Sequence, residues 1–389
     1  MKHTAHFAER MKHVKPSFIR DILSITQSKN VISFAGGLPN ESAFPVEGLQ
    51  RAATDALSLE KFSRALQYST TEGIDLLRAW VANRYQHRFG MKISKDNILL
   101  TTGSQQALDL IGKAFLDPGD LVLMENPGYL GAKQVWSTFQ AQSKSIEVTK
   151  NGPDICDLTS ALASHNYKLY YTIPNFQNPT GFSYDSKTRR RIRELIRFSD
   201  TILIEDDPYG ELFFDGKDRH PIMGEKPNES FLLGSFSKIL APGLRVGWVV
   251  ASKSNITQLA RLKQSADLHS SSLSQWIIHS FLMNNNYEEY LNRLRKSYQR
   301  QRDLMIEAIN VELGEAVRYS IPQGGMFLWL KLTNGEDAMA LLMRCKKRGV
   351  LFVPGIVFGE GNENTLRLNY SNASSDEIKK GIRIIGEEL

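Results

Sequence analysis

Short apolar runs alternate with amphipathic stretches from about residue 95 onward, and this alternation restricts the possible folds more than any other feature of the chain. Helix-like segments precede most of these runs; one of them, SQQALDLIGKAF (104 to 115), places its apolar residues on one helical face. We therefore predict an α/β fold whose large domain has a doubly wound, mostly parallel sheet covered by helices on both faces. The runs that predict buried strands are NILLT (97 to 101), LVLM (121 to 124), KLYYT (168 to 172), TILIE (201 to 205), SFLLG (230 to 234) and VGWVV (246 to 250).

The pattern changes after about residue 255, where two long helical segments extend to about 314. The remaining chain is typical of a small α+β unit, with MFLWLKL, VLFVP and TLRLNYS as strands, EDAMALLMRCKKR as a helix and a last helix from about 374. At 389 residues the chain is long enough for two domains. We predict a lid and part of the small domain from residues 1–44, a large domain from 45–285, and the rest of the small domain from 286–389.

The charge of the chain suggests anionic ligands, but the sequence argues against nucleic acid. The net charge is +6. The densest basic run, KTRRRIRELIR, carries Ile192, Leu195 and Ile196 at helical spacing and has no interleaved aromatic residues. Its charges therefore fit the solvated face of an amphipathic helix better than a surface for phosphate backbones.

Other patterns point away from metals and membranes. No HxxxH or CxxC pattern occurs, so no metal site is expected. No run of about 18 apolar residues is present, and the N-terminal residues lack the apolar segment of a secretory signal. Cys156 and Cys345 lie far apart in sequence, which fits reduced thiols. We expect a cytoplasmic protein.

The residues that follow the predicted strands are the first candidates for a site, because ligands of doubly wound sheets bind at the carboxyl ends of the strands. NILLT is followed by Thr102-Gly103-Ser104-Gln105, a glycine turn that opens a helix and suits an anion such as phosphate. Taken alone, this fragment is better explained by a simple serine N-cap. The other strands lead to Tyr129 in ENPGY, to Asn175, Asn178 and Pro179 in IPNFQNPTG, and to Asp206 and Tyr209 in DDPYG. NPTG alone is also a good turn sequence.

The segment SFSKILAPGLR places Lys238 between two predicted buried strands, together with Ser235, Ser237 and Arg245. A lone lysine is usually solvated. A lysine held among other cations is shifted toward the neutral amine, which a Schiff base with an aldehyde requires. The residues therefore indicate a cofactor that carries both an aldehyde and a phosphate.

Eight segments in order carry a family resemblance: QYSTTEG, TTGSQQALDL, ENPGY, QNPTG, EDDPYGEL, SFSKILAPGLRVGW, PQGGMFLW and RLNYS. Together they resemble the fold type I aminotransferases of class I/II, which depend on pyridoxal 5'-phosphate (PLP). Within that family the sequence is most similar to the 2-aminoadipate and kynurenine aminotransferase group. The resemblance extends from about residue 15 to the end of the chain.

The resemblance implies a role for each matched residue. Lys238 would form the Schiff base with PLP and move the substrate proton, Asp206 would pair with the ring nitrogen, and Tyr129 would stack on the ring. Arg367 would bind the substrate α-carboxylate, with Asn178 also at the substrate. Tyr209 and Asn178 would bond the phenolic oxygen of the ring; the phosphate would be held by Gly103, Ser104, Gln105, Ser235, Ser237, Arg245 and Tyr68 of the partner subunit. This chain has Ser69 where related sequences commonly have glycine, which makes the Tyr68 assignment less direct.

The N-terminal segments KPSFIRDILSIT and VISFAGGLPNESAFP resemble the lid of the same group. By that match Ser17 and Arg20 would face the substrate side chain, and Gly37 would lie near its carboxylate. Arg20 could equally be a surface residue of an amphipathic helix. We expect transfer of an amino group from 2-aminoadipate, aromatic, branched-chain or glutamate donors to 2-oxoglutarate, in a homodimer.

Two alternatives stay open at this stage. A PLP-dependent β-lyase, racemase or decarboxylase would share Lys238, Asp206 and Arg367. A PLP-binding sensor of the kind found in bacterial transcriptional regulators is less expected, because only about 15 residues precede the matched region, fewer than a fused DNA-binding module needs.

Overall fold

The computed structural model describes residues 7–14, 31–224 and 230–389. The strands in these ranges are β1 Ile32–Ser33, β2 Ile98–Thr101, β3 Leu121–Asn126, β4 Gln142–Thr149, β5 Gly152–Pro153, β6 Leu169–Thr172, β7 Ile202–Asp206, β8 Ser230–Ser235, β9 Gly247–Val250, β10 Val317–Tyr319, β11 Phe327–Leu332, β12 Val350–Leu351, β13 Val353–Pro354 and β14 Thr365–Asn369. The α-helices are α1 Val46–Ala56, α2 Phe62–Leu66, α3 Asp75–Phe89, α4 Ser104–Phe115, α5 Leu130–Thr138, α6 Ile155–Ser164, α7 Ser186–Arg197, α8 Lys253–Ala266, α9 Ser272–Asn284, α10 Tyr287–Glu312, α11 Ala338–Lys347 and α12 Ser375–Glu388.

The largest sheet has eight strands in the order β2-β9-β8-β7-β6-β3-β4-β5. Pairing is parallel from β8 through β7, β6 and β3 to β4, whereas β9 runs antiparallel to both of its neighbours, β2 and β8. The predicted α/β class with a mostly parallel sheet is therefore confirmed. All six apolar runs form strands of this sheet, and the last of them is the reversed strand β9.

Helices cover both faces of this sheet, which explains why its central strands are apolar on both sides. Neighbouring residues of β6 enter different cores: Tyr171 packs into the main core, and Tyr170 packs into a second cluster with Ile192 of α7 and Leu158 of α6. The basic run therefore lies on an amphipathic helix, as predicted, with Ile192 buried and its other face charged. Because both faces of the sheet are covered, its side chains can reach a ligand only at the ends of the strands.

A second sheet of four antiparallel strands, β10-β11-β14-β13, lies in the C-terminal part of the chain. The predicted single strand VLFVP is wrong: β12 pairs with β1 in a separate two-stranded sheet, while β13 pairs with β14. The chain changes sheets at the buried Phe352. The pairing of Ile32 with Val350 brings the N-terminal segment to the C-terminal unit, and the boundaries at residues 44 and 285 stay a prediction.

Candidate active site

A cleft of about 310 Å³ opens at the carboxyl ends of the parallel strands. Because β9 runs in the opposite direction, its beginning lies at this same edge, and Arg245 is thereby brought beside residues that follow β2 and β8. The residues that line the cleft are Ser104, Gln105, Tyr129, Ile173, Asn178, Asp206, Pro208, Tyr209, Ser235, Ser237, Lys238, Pro242 and Arg245. The structure thus brings together most of the residues that the strand-end argument selected.

Two glycines shape one corner of the cleft. Gly103 has φ +74°, and a Cβ atom there would lie 2.4 Å from Nη2 of Arg245. A Cβ on Gly247 would lie 2.7 Å from the backbone nitrogen of Ser104. Side chains are excluded at both positions, so the first turn of α4 lies open beside the guanidinium group of Arg245. Free backbone N-H groups at a helix N-terminus next to an arginine form a good anion site. We call this corner, formed by Gly103, Ser104, Gln105, Ser235, Ser237 and Arg245, the anion corner.

Two serines adjoin the same corner at the end of β8. The Ser235 hydroxyl donates to Ser237 Oγ at 2.9 Å and also accepts from the Ser237 backbone N-H at 3.1 Å. Arg245 Nη1 donates to Ser237 Oγ at 3.4 Å. These hydroxyls and the guanidinium group therefore converge with the α4 N-terminus, as a phosphate group requires.

Lys238 lines the cleft, and its amine donates a hydrogen bond of 2.7 Å to the carbonyl oxygen of Gly37. Burial lowers its pKa to about 8, and the positive charges of Arg245 and Arg367 act in the same direction. A larger fraction of this amine is therefore neutral at physiological pH than of an ordinary lysine. This is the state in which a lysine is nucleophilic.

Asp206 is the last residue of β7, and its side chain is buried. One oxygen, Oδ2, accepts a hydrogen bond of 2.7 Å from the hydroxyl of Tyr171, while Oδ1 has no partner among the described residues. Burial raises the pKa of Asp206 to about 7, and the Tyr171 hydrogen bond opposes that increase. An unpaired buried carboxylate oxygen calls for a donor or cation from a ligand.

Arg367 of β14 is 1% exposed and lies next to Asn178 and Tyr209. Its guanidinium group donates to Asn178 Oδ1 at 2.6 Å and to the carbonyl oxygen of Ala35. The rings of Phe327 and Phe358 lie 4.3 and 4.9 Å from its guanidinium carbon. Burial lowers its pKa to about 10. None of the ion pairs among the described residues includes Arg367, so its charge lacks an acidic partner there.

Tyr129 and Gln105 both line the cleft and contact each other there, with the Tyr129 hydroxyl 3.4 Å from Gln105 Oε1. Gln105 is also anchored by a bond of 3.0 Å from its Nε2 to the Gly131 carbonyl oxygen. Burial raises the pKa of Tyr129 to about 12, so its hydroxyl stays protonated. Gln105 therefore links the Tyr129 ring to the first turn of α4.

A polar network that the sequence does not indicate lies behind the anion corner. Lys263 of α8, which is 0% exposed, donates to Asp267 at 2.7 Å and to Gln106 Oε1 at 3.0 Å. Gln106 Oε1 also accepts from the backbone N-H of Thr102 at 2.8 Å. The network fixes the residue before Gly103, and a lone lysine in a polar helix carries no sequence signal for such a role.

Four predicted residues among those described do not line the cleft: Gly103 and Arg367, which adjoin its lining residues Arg245 and Asn178, and Tyr68 and Gly37. Tyr68 is 79% exposed and contacts His269 in an edge-to-face arrangement with ring centroids 5.8 Å apart. It does not line the cleft of its own chain, which is compatible with a role in a partner subunit. Ser17 and Arg20 lie outside the described residues. Gly37 reaches the cleft through its carbonyl oxygen.

Residues 7–14, 31–224 and 230–389 contain no group of three or more histidine, cysteine, aspartate or glutamate side chains placed to hold a metal ion. In the same ranges, no helix combines the length and apolar character that crossing a bilayer needs.

The residues present fit PLP on three independent counts. The anion corner suits its phosphate, the depressed pKa of Lys238 suits its aldehyde, and the unpaired Oδ1 of Asp206 suits a protonated ring nitrogen. The fold and the cleft thus define an enzyme of the PLP-dependent fold type I class.

Comparison with known proteins identifies the family. The model of "Aminotransferase class I and II" matches residues 29–385. The 2-aminoadipate transaminase of Thermus thermophilus is 40% identical, over 98% of this chain and 96% of that protein. The chain belongs to the class I and II aminotransferases, and it is a PLP-dependent enzyme of that family.

Two solved structures resemble the chain along nearly its whole length. One is the alpha-aminoadipate aminotransferase of Thermus thermophilus complexed with N-(5'-phosphopyridoxyl)-L-leucine, with a TM-score of 0.91, 38% identity, and coverage of 98% of this chain and 97% of that one. The other is a kynurenine aminotransferase of Pyrococcus horikoshii in complex with PMP, with a TM-score of 0.92, 36% identity, and coverage of 98% and 96%. The predicted family and cofactor are confirmed.

Proposed function

We propose that this aminotransferase takes the amino group from 2-aminoadipate, aromatic, branched-chain or glutamate donors and uses 2-oxoglutarate as acceptor. The observation that carries the proposal is Arg367, a fully buried arginine without an acidic partner among the described residues, beside the cleft that holds Lys238. A buried charge of this kind needs a counter-ion. The α-carboxylate that amino acids and 2-oxo acids share would supply it through a two-pronged contact.

The other residues of the cleft would bind different parts of the cofactor. PLP, when bound, supplies an aldehyde that condenses with amines and a ring that accepts the electrons of a bond broken at the substrate Cα. Gly103, Ser104, Gln105, Ser235, Ser237 and Arg245 would hold its phosphate, Asp206 its ring nitrogen, and Asn178 and Tyr209 its phenolic oxygen. Tyr129 would stack on its ring.

Lys238 would serve as the proton carrier of the reaction. Its pKa of about 8 lies close to neutral pH, so the amine can remove a proton from the substrate Cα and give one back within a single cycle. Arg367 would orient the substrate so that the Cα-H bond, rather than another bond to Cα, faces this amine. The carbonyl oxygen of Gly37 accepts a hydrogen bond from this amine, so the N-terminal segment contacts the proton carrier.

The donor range would depend on the N-terminal segment. We assign Arg20 to the distal carboxylate of 2-oxoglutarate, glutamate or 2-aminoadipate, and Ser17 to the same side-chain region; the names of the two similar enzymes, which specify 2-aminoadipate and kynurenine, support a site that takes acidic and aromatic donors. Arg20→Ala should lower turnover of acidic donors relative to leucine and phenylalanine. An unchanged ratio would refute this assignment.

The test of the whole proposal is the visible absorption of the purified holoenzyme after addition of single L-amino acids without a keto acid. Glutamate, 2-aminoadipate, leucine, phenylalanine and kynurenine are added separately, and each true donor should convert bound PLP to the pyridoxamine form. Later addition of 2-oxoglutarate should restore the original spectrum. Release of pyruvate and ammonia from a cysteine-type substrate would favour a β-lyase instead, and a spectrum that no amino acid changes would refute the proposal.

A further inference from the structure

The two oxygens of the Asp206 carboxylate have different surroundings. Oδ2 accepts the hydrogen bond from Tyr171, whereas Oδ1 is buried without a partner among the described residues. The carboxylate is therefore held from one side only. Its second oxygen is left for a group that enters the cleft, which Asp206 lines and Tyr171 does not.

Tyr171 is itself rigidly held. It lies in β6, is 1% exposed, and packs edge-to-face against Trp136 of α5 with ring centroids 6.3 Å apart. Burial and the nearby carboxylate of Asp206 raise its pKa well above the ordinary value, so the phenol stays protonated and always donates. A neutral donor at a fixed position stabilises the ionised form of its carboxylate partner.

The other charged and titratable groups around Asp206 do not replace this donor. The neighbouring carboxylate Asp207 disfavours the ionised form of Asp206. Glu125 of β3 and the phenols of Tyr129 and Tyr209 also interact electrostatically with Asp206. Lys238 and Arg245 line the same cleft. Of the described side chains, Tyr171 alone donates a hydrogen bond to Asp206.

We propose that Tyr171 is a positioning residue that keeps Asp206 ionised and turns Oδ1 toward the ring nitrogen of bound PLP. The inference rests on the proposed role of Asp206 and extends it to a residue that touches neither substrate nor cofactor. Without the hydroxyl, Oδ2 would be buried and unpaired, and the carboxylate would take up a proton instead of holding the ring nitrogen protonated.

The experiment uses holoenzyme reconstituted with ¹⁵N-PLP, because the chemical shift of the ring nitrogen reports its protonation directly. Tyr171→Phe removes one oxygen and keeps the ring that packs on Trp136. Tyr170→Phe is the matched control, because it removes the same atom from the adjacent residue of β6, which faces the opposite core. Asp206→Asn serves as the reference for a ring that has lost its carboxylate.

In the wild type and in Tyr170→Phe, we expect the ring nitrogen to be protonated across the neutral range. In Tyr171→Phe its deprotonation midpoint should fall by about one to two pH units, since hydrogen bonds to charged groups are of that strength. Site-specific 3-fluorotyrosine at position 171, a stronger donor, should move the midpoint in the opposite direction. This second measurement also decides the matter if the phenylalanine variant does not fold.

The outcomes separate this inference from the proposed function. A protonated ring in the wild type, with the same midpoint in Tyr171→Phe or with no shift for the fluorinated residue, would overturn the role of Tyr171 alone. An equal fall in Tyr170→Phe would overturn it too, by showing a general effect of strand β6. A wild type whose ring is neutral, or that binds no PLP, would overturn the role of Asp206 and with it this inference.

Discussion

The amine of Lys238 and the carbonyl oxygen of Gly37 are joined by a hydrogen bond of 2.7 Å across 201 positions of the chain. The segment that contains Gly37 is also tied to β14, where Arg367 donates to the Ala35 carbonyl oxygen and Asn369 donates to the Gly36 carbonyl oxygen. The N-terminal segment thus contacts both the reactive amine and the carboxylate-binding arginine. When a cofactor bonds to the amine of Lys238, the hydrogen bond to the Gly37 carbonyl oxygen must be replaced.

Cofactor attachment should depend on pH through Lys238. Its pKa of about 8, lowered by burial and by Arg245 and Arg367, means that the reactive neutral amine falls about tenfold per pH unit below 8 and levels off above it. The rate of PLP uptake by apoenzyme, followed by absorption, should therefore rise up to about pH 8. A rate that still rises toward pH 10 would contradict the lowered pKa. Lys253→Ala, an exposed lysine paired with Asp96, should change nothing.

Gly103→Ala should weaken PLP binding. The new Cβ atom would lie 2.4 Å from Arg245 Nη2, so the guanidinium group must leave the anion corner, and PLP affinity should fall by about 10- to 100-fold. Gly119→Ala is the control, because Gly119 also has positive φ (+90°) but open space around it. Both variants should lose about 1–3 kcal/mol of stability through backbone strain. Equal PLP affinity of the two variants would remove the clash as a cause.

Lys238 and Gly103 show how much of the site can be predicted from the sequence. The sequence points to Lys238 and Gly103 because strand ends in a doubly wound sheet meet at one edge, and each residue follows or adjoins an apolar run. It does not point to Tyr171 or Lys263. Tyr171 lies inside an apolar strand, where its hydroxyl gives no pattern, and Lys263 resembles any solvated lysine of a polar helix.

The fold was predictable to a similar degree. Strand β4, QSKSIEVT, escaped prediction because it is mostly polar and exposed, with Ile146 as its buried residue. The reversed direction of β9 cannot be read from an apolar run, since buried parallel and antiparallel strands have the same composition. That reversal is what brings Arg245 to the cleft.

Arg367→Lys should affect substrate binding rather than the cofactor. A lysine loses the two-pronged geometry and the stacking between Phe327 and Phe358, so KM for amino acid and keto acid should both rise, with kcat/KM falling about 10- to 100-fold. The absorption of bound PLP should stay as in the wild type. Arg348→Lys, at an exposed ion pair with Glu387, is the control. An unchanged KM for both substrates would exclude Arg367 as the carboxylate-binding residue.

Asp267→Ala should destabilise the protein and loosen the anion corner. It leaves Lys263 buried without its carboxylate, which typically costs about 3 kcal/mol. Asp109→Ala, at a partly exposed pair with Lys113 on α4, should cost less than about 1 kcal/mol. Denaturant unfolding of both apoenzymes measures the difference. Equal losses would show that the Lys263 pair contributes no more than a surface pair.

Tyr68 provides a test of the proposed homodimer, because its exposed side chain lies away from the cleft of its own chain. If Tyr68 of the partner subunit completes the phosphate site, Tyr68→Ala should bind PLP weakly and Lys238→Ala should be inactive. A mixed dimer of the two variants would then contain one site with Lys238 and an intact tyrosine from the other chain. The two chains carry different tags so that the heterodimer can be isolated. At limiting PLP, the activity of this heterodimer should be about half that of the wild-type dimer.

The control for this complementation is a mixture of Lys238→Ala with wild type, which fixes the activity of one intact site per dimer. No gain on mixing Tyr68→Ala with Lys238→Ala, although heterodimers form, would show that Tyr68 does not act across the interface. A monomer by sedimentation at working concentrations would exclude the dimer itself. The departure at Ser69 makes this test informative, because the residue after Tyr68 sets how the loop can extend toward a partner.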